Sequence, residues 1–103
     1  MLGNSHFDID GVGLYPGAKV TSMKVDALSD PGKSGVRIDY TAPAAIDTVR
    51  GWYAKAFAEK HVAITPNGAG LSGNTADGDA VVMTFAPAGA ATTKGVIEVQ
   101  DAG

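Results

Sequence analysis

Residues 41–60, TAPAAIDTVRGWYAKAFAEK, are the only stretch of this chain with a helical hydrophobic period, and that restriction shapes every fold the chain can adopt. Pro43 suits a first helical position, because the N–H it lacks would be unpaired there anyway. Of Thr41 and Ala42, which precede it, Thr41 is the better cap by chemistry. Asp47 lies early, where a carboxylate favours the positive helix end, and Lys60 lies late, where a cation favours the negative end. Ile46, Val49, Tyr53, Ala56 and Phe57 recur at helical spacing and share one face. Trp52 flanks that stripe, while Arg50, Lys55 and Glu59 fall mainly on the opposite side. Gly51 costs about 1 kcal/mol against Ala in such a helix. It either admits a close strand or is simply tolerated.

The rest of the chain reads as short strands between turns. Leu14-Tyr15-Pro16-Gly17 is a turn, with Pro setting φ and Gly accepting a positive φ after it. Residues 18–28 form a first strand with imperfect alternation. SDPGKSG, residues 29–35, is a turn cluster. Residues 36–40 alternate cleanly, with Val36, Ile38 and Tyr40 on one face and Arg37 and Asp39 on the other. The short connection makes these two strands an antiparallel hairpin. After the helix, residues 61–65 form a third strand, and the Gly-rich residues 69–76 allow only a weak edge strand through Leu71. Residues 80–86 place Val81, Met83 and Phe85 inward, and residues 95–100 place Ile97 and Val99 inward. A long turn covers residues 87–94.

The expectation is an α+β domain in the order β-β-α-β-(β)-β-β: a four- to five-stranded antiparallel sheet with one helix packed on one face. Arg37, Asp39, Thr84, Glu98 and Gln100 occupy the other, wet face. A helix of about 18 residues is only ~27 Å long, so it covers the middle of the sheet and leaves edges that must be blunted by turns, by the N-terminal segment or by a second copy. Residues 1–13 read as a flexible arm whose Phe7 and Ile9 dock on a single domain spanning 14–103.

With 103 residues the chain has the size of one domain. Its net charge of −3, with basic residues scattered singly, argues against a nucleic-acid partner, since no cluster replaces phosphate counterions. The absence of cysteine excludes disulfides, thiolate metal sites and a cysteine nucleophile. No apolar run reaches the length of a transmembrane helix.

The motif Leu14-Tyr15-Pro16-Gly17-Ala18, followed by a strand into a helix carrying Trp52-Tyr53, a further strand, a Gly-rich hairpin and two final strands, resembles a small domain of exported or lipid-anchored bacterial proteins. That family is largely uncharacterised. The resemblance spans residues 14–100 and implies a periplasmic or cell-envelope location, with the cytoplasm as the alternative. It supplies no catalytic residue. The family pattern ends the helix with a Gly, where this chain has Lys60-His61.

Catalytic chemistry finds little to stand on. His6, near Asp8 and Asp10, reads as part of a solvated tail rather than a metal ligand. His61 reads as a surface or capping residue at the helix C-terminus. Asn74, Asp77 and Asp79 have plain turn chemistry and lack the spaced run and closing Glu of a calcium loop. The loop 67–73, NGAGLSG, lacks the Gly-Lys-Ser/Thr ending of a phosphate loop. No serine sits in a nucleophile elbow, and the two glutamates, Glu59 and Glu98, are exposed and unpaired with one another. No cofactor and no metal site is expected. What remains is aromatic: Tyr53 on the stripe, Trp52 at its border and Tyr15 in the turn are the candidate contact residues. The leading expectation is a non-enzymatic envelope domain, structural or protein-binding, whose partner is another protein or a second copy. The alternative is a small-molecule binding module or minor enzyme with a pocket between helix and sheet.

Overall fold

The computed structural model describes residues 9, 11–25, 35–76 and 78–100. The elements are β1 (Lys19–Val25), β2 (Gly35–Ala42), α1 (Ile46–Glu59), β3 (Ala63–Asn67), β4 (Gly70–Asn74), β5 (Ala80–Gly89) and β6 (Thr92–Gln100). The sheet has six strands rather than four or five, in the order β1-β2-β6-β5-β4-β3. All neighbours are antiparallel. The extra strand is β4, the Gly-rich stretch through Leu71, which pairs on both sides and is therefore internal, with β3 taking the edge.

Alternation and register together build the core. Directly paired residues share a sheet face, and one inner row runs Ile38–Ile97–Met83–Leu71 across β2, β6, β5 and β4. All four side chains are buried. Val49, Tyr53 and Phe57 of α1 are buried against this face, each fully buried side chain of this kind contributing about 1.5–3 kcal/mol. The helix contacts β3, β4, β5 and β6. Beside it runs the chain before β1. Gly11 faces the Lys60 side chain near the helix end, Tyr15 meets Tyr53, and Gly17 faces Pro43 near the helix start. Within the segment read from sequence as an arm, Ile9 and Val12 belong to the core, which agrees with a docking Ile9. His6, Phe7, Asp8 and Asp77 lie outside the described residues.

The helix start differs from expectation, whereas the end falls where the sequence places it, with His61 in the capping role. Thr41 is no cap: β2 continues through Ala42, which pairs with Thr93, so sheet pairing holds the residues that local capping chemistry would claim. The helix starts after Ala45, with no side-chain cap bond. At the far end, His61 adopts φ 58, the only left-handed non-Gly residue among those described. Its N–H donates to Ala58 O at 3.1 Å and that of Val62 to Phe57 O at 2.9 Å, the double closure of a Schellman motif. Val62 and Phe57, both buried, supply the accompanying apolar contact. The stop that sequence pattern assigns to Gly is thus made by His61.

One side-chain fit was invisible in the sequence. Tyr40 pairs with Gly95, and a Cβ built on Gly95 would overlap the Tyr40 ring. The missing side chain is where the ring lies. The edges are blunted locally: β1 by the irregularity between Val20 and Ser22 and by Lys19 and Lys24, β3 by its five-residue length and by Pro66.

Candidate functional site

The three candidate residues, drawn from two separate motifs, come together. Helix α1 presents Tyr53 inward and Trp52 at the border of its buried face, as adjacent helical positions require. Tyr15 arrives from the turn before β1, which is closed by Ala18 N–H donating to Tyr15 O at 2.9 Å. Its own N–H donates to the Tyr53 hydroxyl at 2.8 Å. Trp52 packs edge-on against both neighbours, with ring centroids 4.9 Å from Tyr53 and 5.5 Å from Tyr15. Such perpendicular aromatic pairs are each worth about 0.5–1.5 kcal/mol beyond area burial. Tyr53 is buried, while Tyr15 and Trp52 are half-buried and face solvent along one side.

Deeper in, the same rings continue into the core. Tyr53 lies 6.1 Å from Phe57 and 6.4 Å from both Tyr40 and Phe85. Burial raises the pKa of Tyr53 and of Tyr40 above the ordinary tyrosine value, and the nearby Tyr53 hydroxyl raises that of Tyr40 further. The two hydroxyls differ in satisfaction. That of Tyr53 accepts from the main chain, whereas that of Tyr40 is the only buried side-chain polar atom among the described residues without a hydrogen bond. Its proximity to Tyr53 falls short of bonding geometry.

Along this line the described side chains are closed to solvent. Tyr40, Val49, Tyr53, Phe57, Val81 and Met83 are each buried to within about a hundredth of their surface and in one cluster. Ile46 and Phe85, assigned to the same filling from sequence, are half-buried at its rim. Concavities lie elsewhere. One of about 390 Å³ sits beside His61 and Asn74, another of about 390 Å³ between the helix start and the β5–β6 hairpin, and one of about 370 Å³ over β4 and β5. None gathers charged groups around a reactive atom. Among the described residues no three His, Cys, Asp or Glu side chains approach a common metal position.

The outer sheet face divides in two. Arg37 holds Asp39 at 3.0 Å and Glu98 at 3.7 Å, and its hydrogen bond and charge lower the Asp39 pKa. Lys19, Lys24 and Lys94 add to this charged half. Strands β3, β4 and β5 carry no charged residue, and exposed Val82 lies among them. On the helix, Arg50 reaches the β3–β4 hairpin, donating to Gly68 O at 2.8 Å and Gly70 O at 3.3 Å. That contact had no signal in the sequence, because nothing local tells which loop a helix side chain will meet.

Fold and patch together define a small one-helix α+β domain with a partly exposed aromatic border. No protein-family model, no curated protein and no solved structure matches the chain. No helix among the described residues is long and apolar enough to cross a membrane.

Proposed function

We propose that this chain is a non-enzymatic interaction domain of the bacterial cell envelope that docks a protein partner through Trp52 and Tyr15. The observation that carries the reading is the convergence of these residues, from distant segments, into a half-exposed aromatic patch whose base is pinned by the Tyr53 hydroxyl. Trp and Tyr are the residue types most often dominant at binding interfaces. The apolar, solvent-closed side chains between helix and sheet favour this reading over a ligand pocket or enzyme. The envelope location rests on the Tyr15-Pro16-Gly17-Ala18 and Trp52-Tyr53 resemblance alone.

A photo-crosslinking residue placed in the native host at position 52, against one at exposed Lys55 on the same helix, tests it. The expected result is a discrete adduct from position 52 that is absent from position 55 and that fractionates with the envelope. Equal adducts from both positions, or none from either, would overturn the patch. Adducts in the cytosolic fraction alone would overturn the location.

A further inference from the structure

The tip of the β3–β4 hairpin carries a reactive arrangement that is independent of the aromatic patch. Asn67 closes β3 and pairs with Gly70, leaving Gly68 and Ala69 as a two-residue loop. Gly68 has φ 61, the conformation that a glycine at the first loop position of a type II′ hairpin supplies. Its backbone nitrogen donates no hydrogen bond among the described residues. Gly68 carries no side chain to crowd that nitrogen, and the space where a Cβ would stand is empty within 4 Å. The exposed Asn67 amide touches only the Ser72 hydroxyl, at 2.8 Å.

We propose that Asn67–Gly68 is a self-modification site, and that Arg50 sets its rate. The deprotonated Gly68 nitrogen attacks the Asn67 Cγ. An N–Cγ bond forms, the Cγ–Nδ2 bond breaks, and ammonia leaves, closing a five-membered succinimide. Water then opens the ring at one of its two carbonyls. The product is an aspartate at position 67, or an isoaspartate in which the main chain runs through the former side chain. The net change is amide plus water to carboxylate plus ammonium, with no redox step.

Asn74 is the internal comparison. Its following nitrogen, on Thr75, donates to Asp79 O at 2.9 Å, and the Thr75 side chain branches at Cβ beside it. Neither the lone pair nor the space is free there. At Asn67, ring closure requires the Asn67–Gly68 peptide, which carries the attacking nitrogen, to turn out of the hairpin. Arg50 opposes that turn indirectly, because its guanidinium holds the carbonyls of Gly68 and Gly70 on the peptides that follow and so fixes the loop against which the turn must be made. The reaction places the first charge on three strands that carry none, next to the Arg50 cation. The isoaspartate form also lengthens the backbone of residue 67, the last paired residue before the two-residue loop, which that pairing cannot absorb.

The test is to age the folded full chain at mildly alkaline and mildly acidic pH. Peptide mapping by mass spectrometry then follows amide loss and isoaspartate at positions 67 and 74. Conversion is expected at 67, faster at alkaline pH, and undetectable at 74 over the same interval. Arg50→Ala should convert several-fold faster while its circular dichroism stays that of a folded chain, and Gly68→Ala should suppress conversion. Equal rates at 67 and 74, or a wild-type rate in Gly68→Ala, would overturn the site. An Arg50→Ala chain that is folded and converts no faster than wild type would overturn the role of Arg50.

Discussion

Tyr40 and Tyr53 sit side by side in the core, yet their hydroxyls should have opposite effects on stability. Tyr40 is fully buried with its hydroxyl unbonded. An unsatisfied buried hydroxyl costs about 1–3 kcal/mol. Tyr40→Phe keeps the ring in the space left by Gly95 and removes that cost, so it should stabilise by about 1 kcal/mol. Tyr53→Phe does the reverse. It leaves the Tyr15 N–H, now bonded at 2.8 Å, without an acceptor, and should destabilise by about 1–2 kcal/mol. Urea unfolding followed by tyrosine and tryptophan fluorescence reads both as shifts in midpoint at constant slope. In a domain of this size 1 kcal/mol corresponds to a shift of about 4–8 °C in Tm. The double variant separates the two hydroxyls. Because the rings are neighbours at 6.4 Å, the cycle measures the coupling between the hydroxyls directly, and a coupling under about 0.5 kcal/mol is expected where they share no hydrogen bond. A Tyr40→Phe chain less stable than wild type by 1 kcal/mol or more would refute the reasoning, because the Tyr40 hydroxyl would then have a partner after all.

Three further outcomes follow from the same geometry. His61→Gly should stabilise by about 0.5–1 kcal/mol, since a left-handed φ costs a side-chain-bearing residue and not glycine, and thermal melts should show the gain. Gly95→Ala should destabilise by about 1–3 kcal/mol, because the added Cβ overlaps the Tyr40 ring and the core must shift; denaturant melts read the loss. Stability should fall at alkaline pH. Both buried tyrosines have folded-state pKa values raised above the ordinary 10.0, so the folded state holds their protons more tightly than the unfolded state. The contribution is fully present below pH 10.0 and is lost as pH rises through the folded values. Tyr40→Phe should reduce that alkaline loss in melts run across the range.

The parts of the fold legible in the sequence were those set by periodicity. Val49, Tyr53 and Phe57 recur on one helical face and are buried, and Ile38, Val81, Met83 and Ile97 alternate and face them. The parts that were not legible were decided by pairing at a distance. Residues 41 and 42 look like a helix start, but their partners Lys94 and Thr93 on β6 keep them in a strand. Residues 87–94 look like a long turn, but β5 and β6 pair almost to the tip, closing between Gly89 and Thr92. Residues 70–74 look too rich in glycine for a strand. Gly70 and Gly73 instead allow it to pass between two neighbours, since a Cβ on either would overlap the backbone oxygen of Met83 or Ala63.

The candidate site was legible as residue types and not as an arrangement. Tyr15 and the Trp52-Tyr53 pair are 37 and 38 residues apart, and nothing in the chain says that they touch. Their contact has a structural component: Tyr53 must be buried to fill the core, and its hydroxyl then needs a donor, which the Tyr15 main chain provides. Once Tyr15 is held there, its ring lies against Trp52. That sequence of requirements accounts for Tyr53 and for the position of Tyr15, but not for the choice of Trp at position 52. A smaller apolar residue would cover the border of the helix stripe as well. Trp52 meets both tyrosines edge-on, at 86° and 73°, so neither ring stacks on it. Trp52 is thus held by two edge contacts with its other side half-exposed, and that side is the surface the proposed partner would cover.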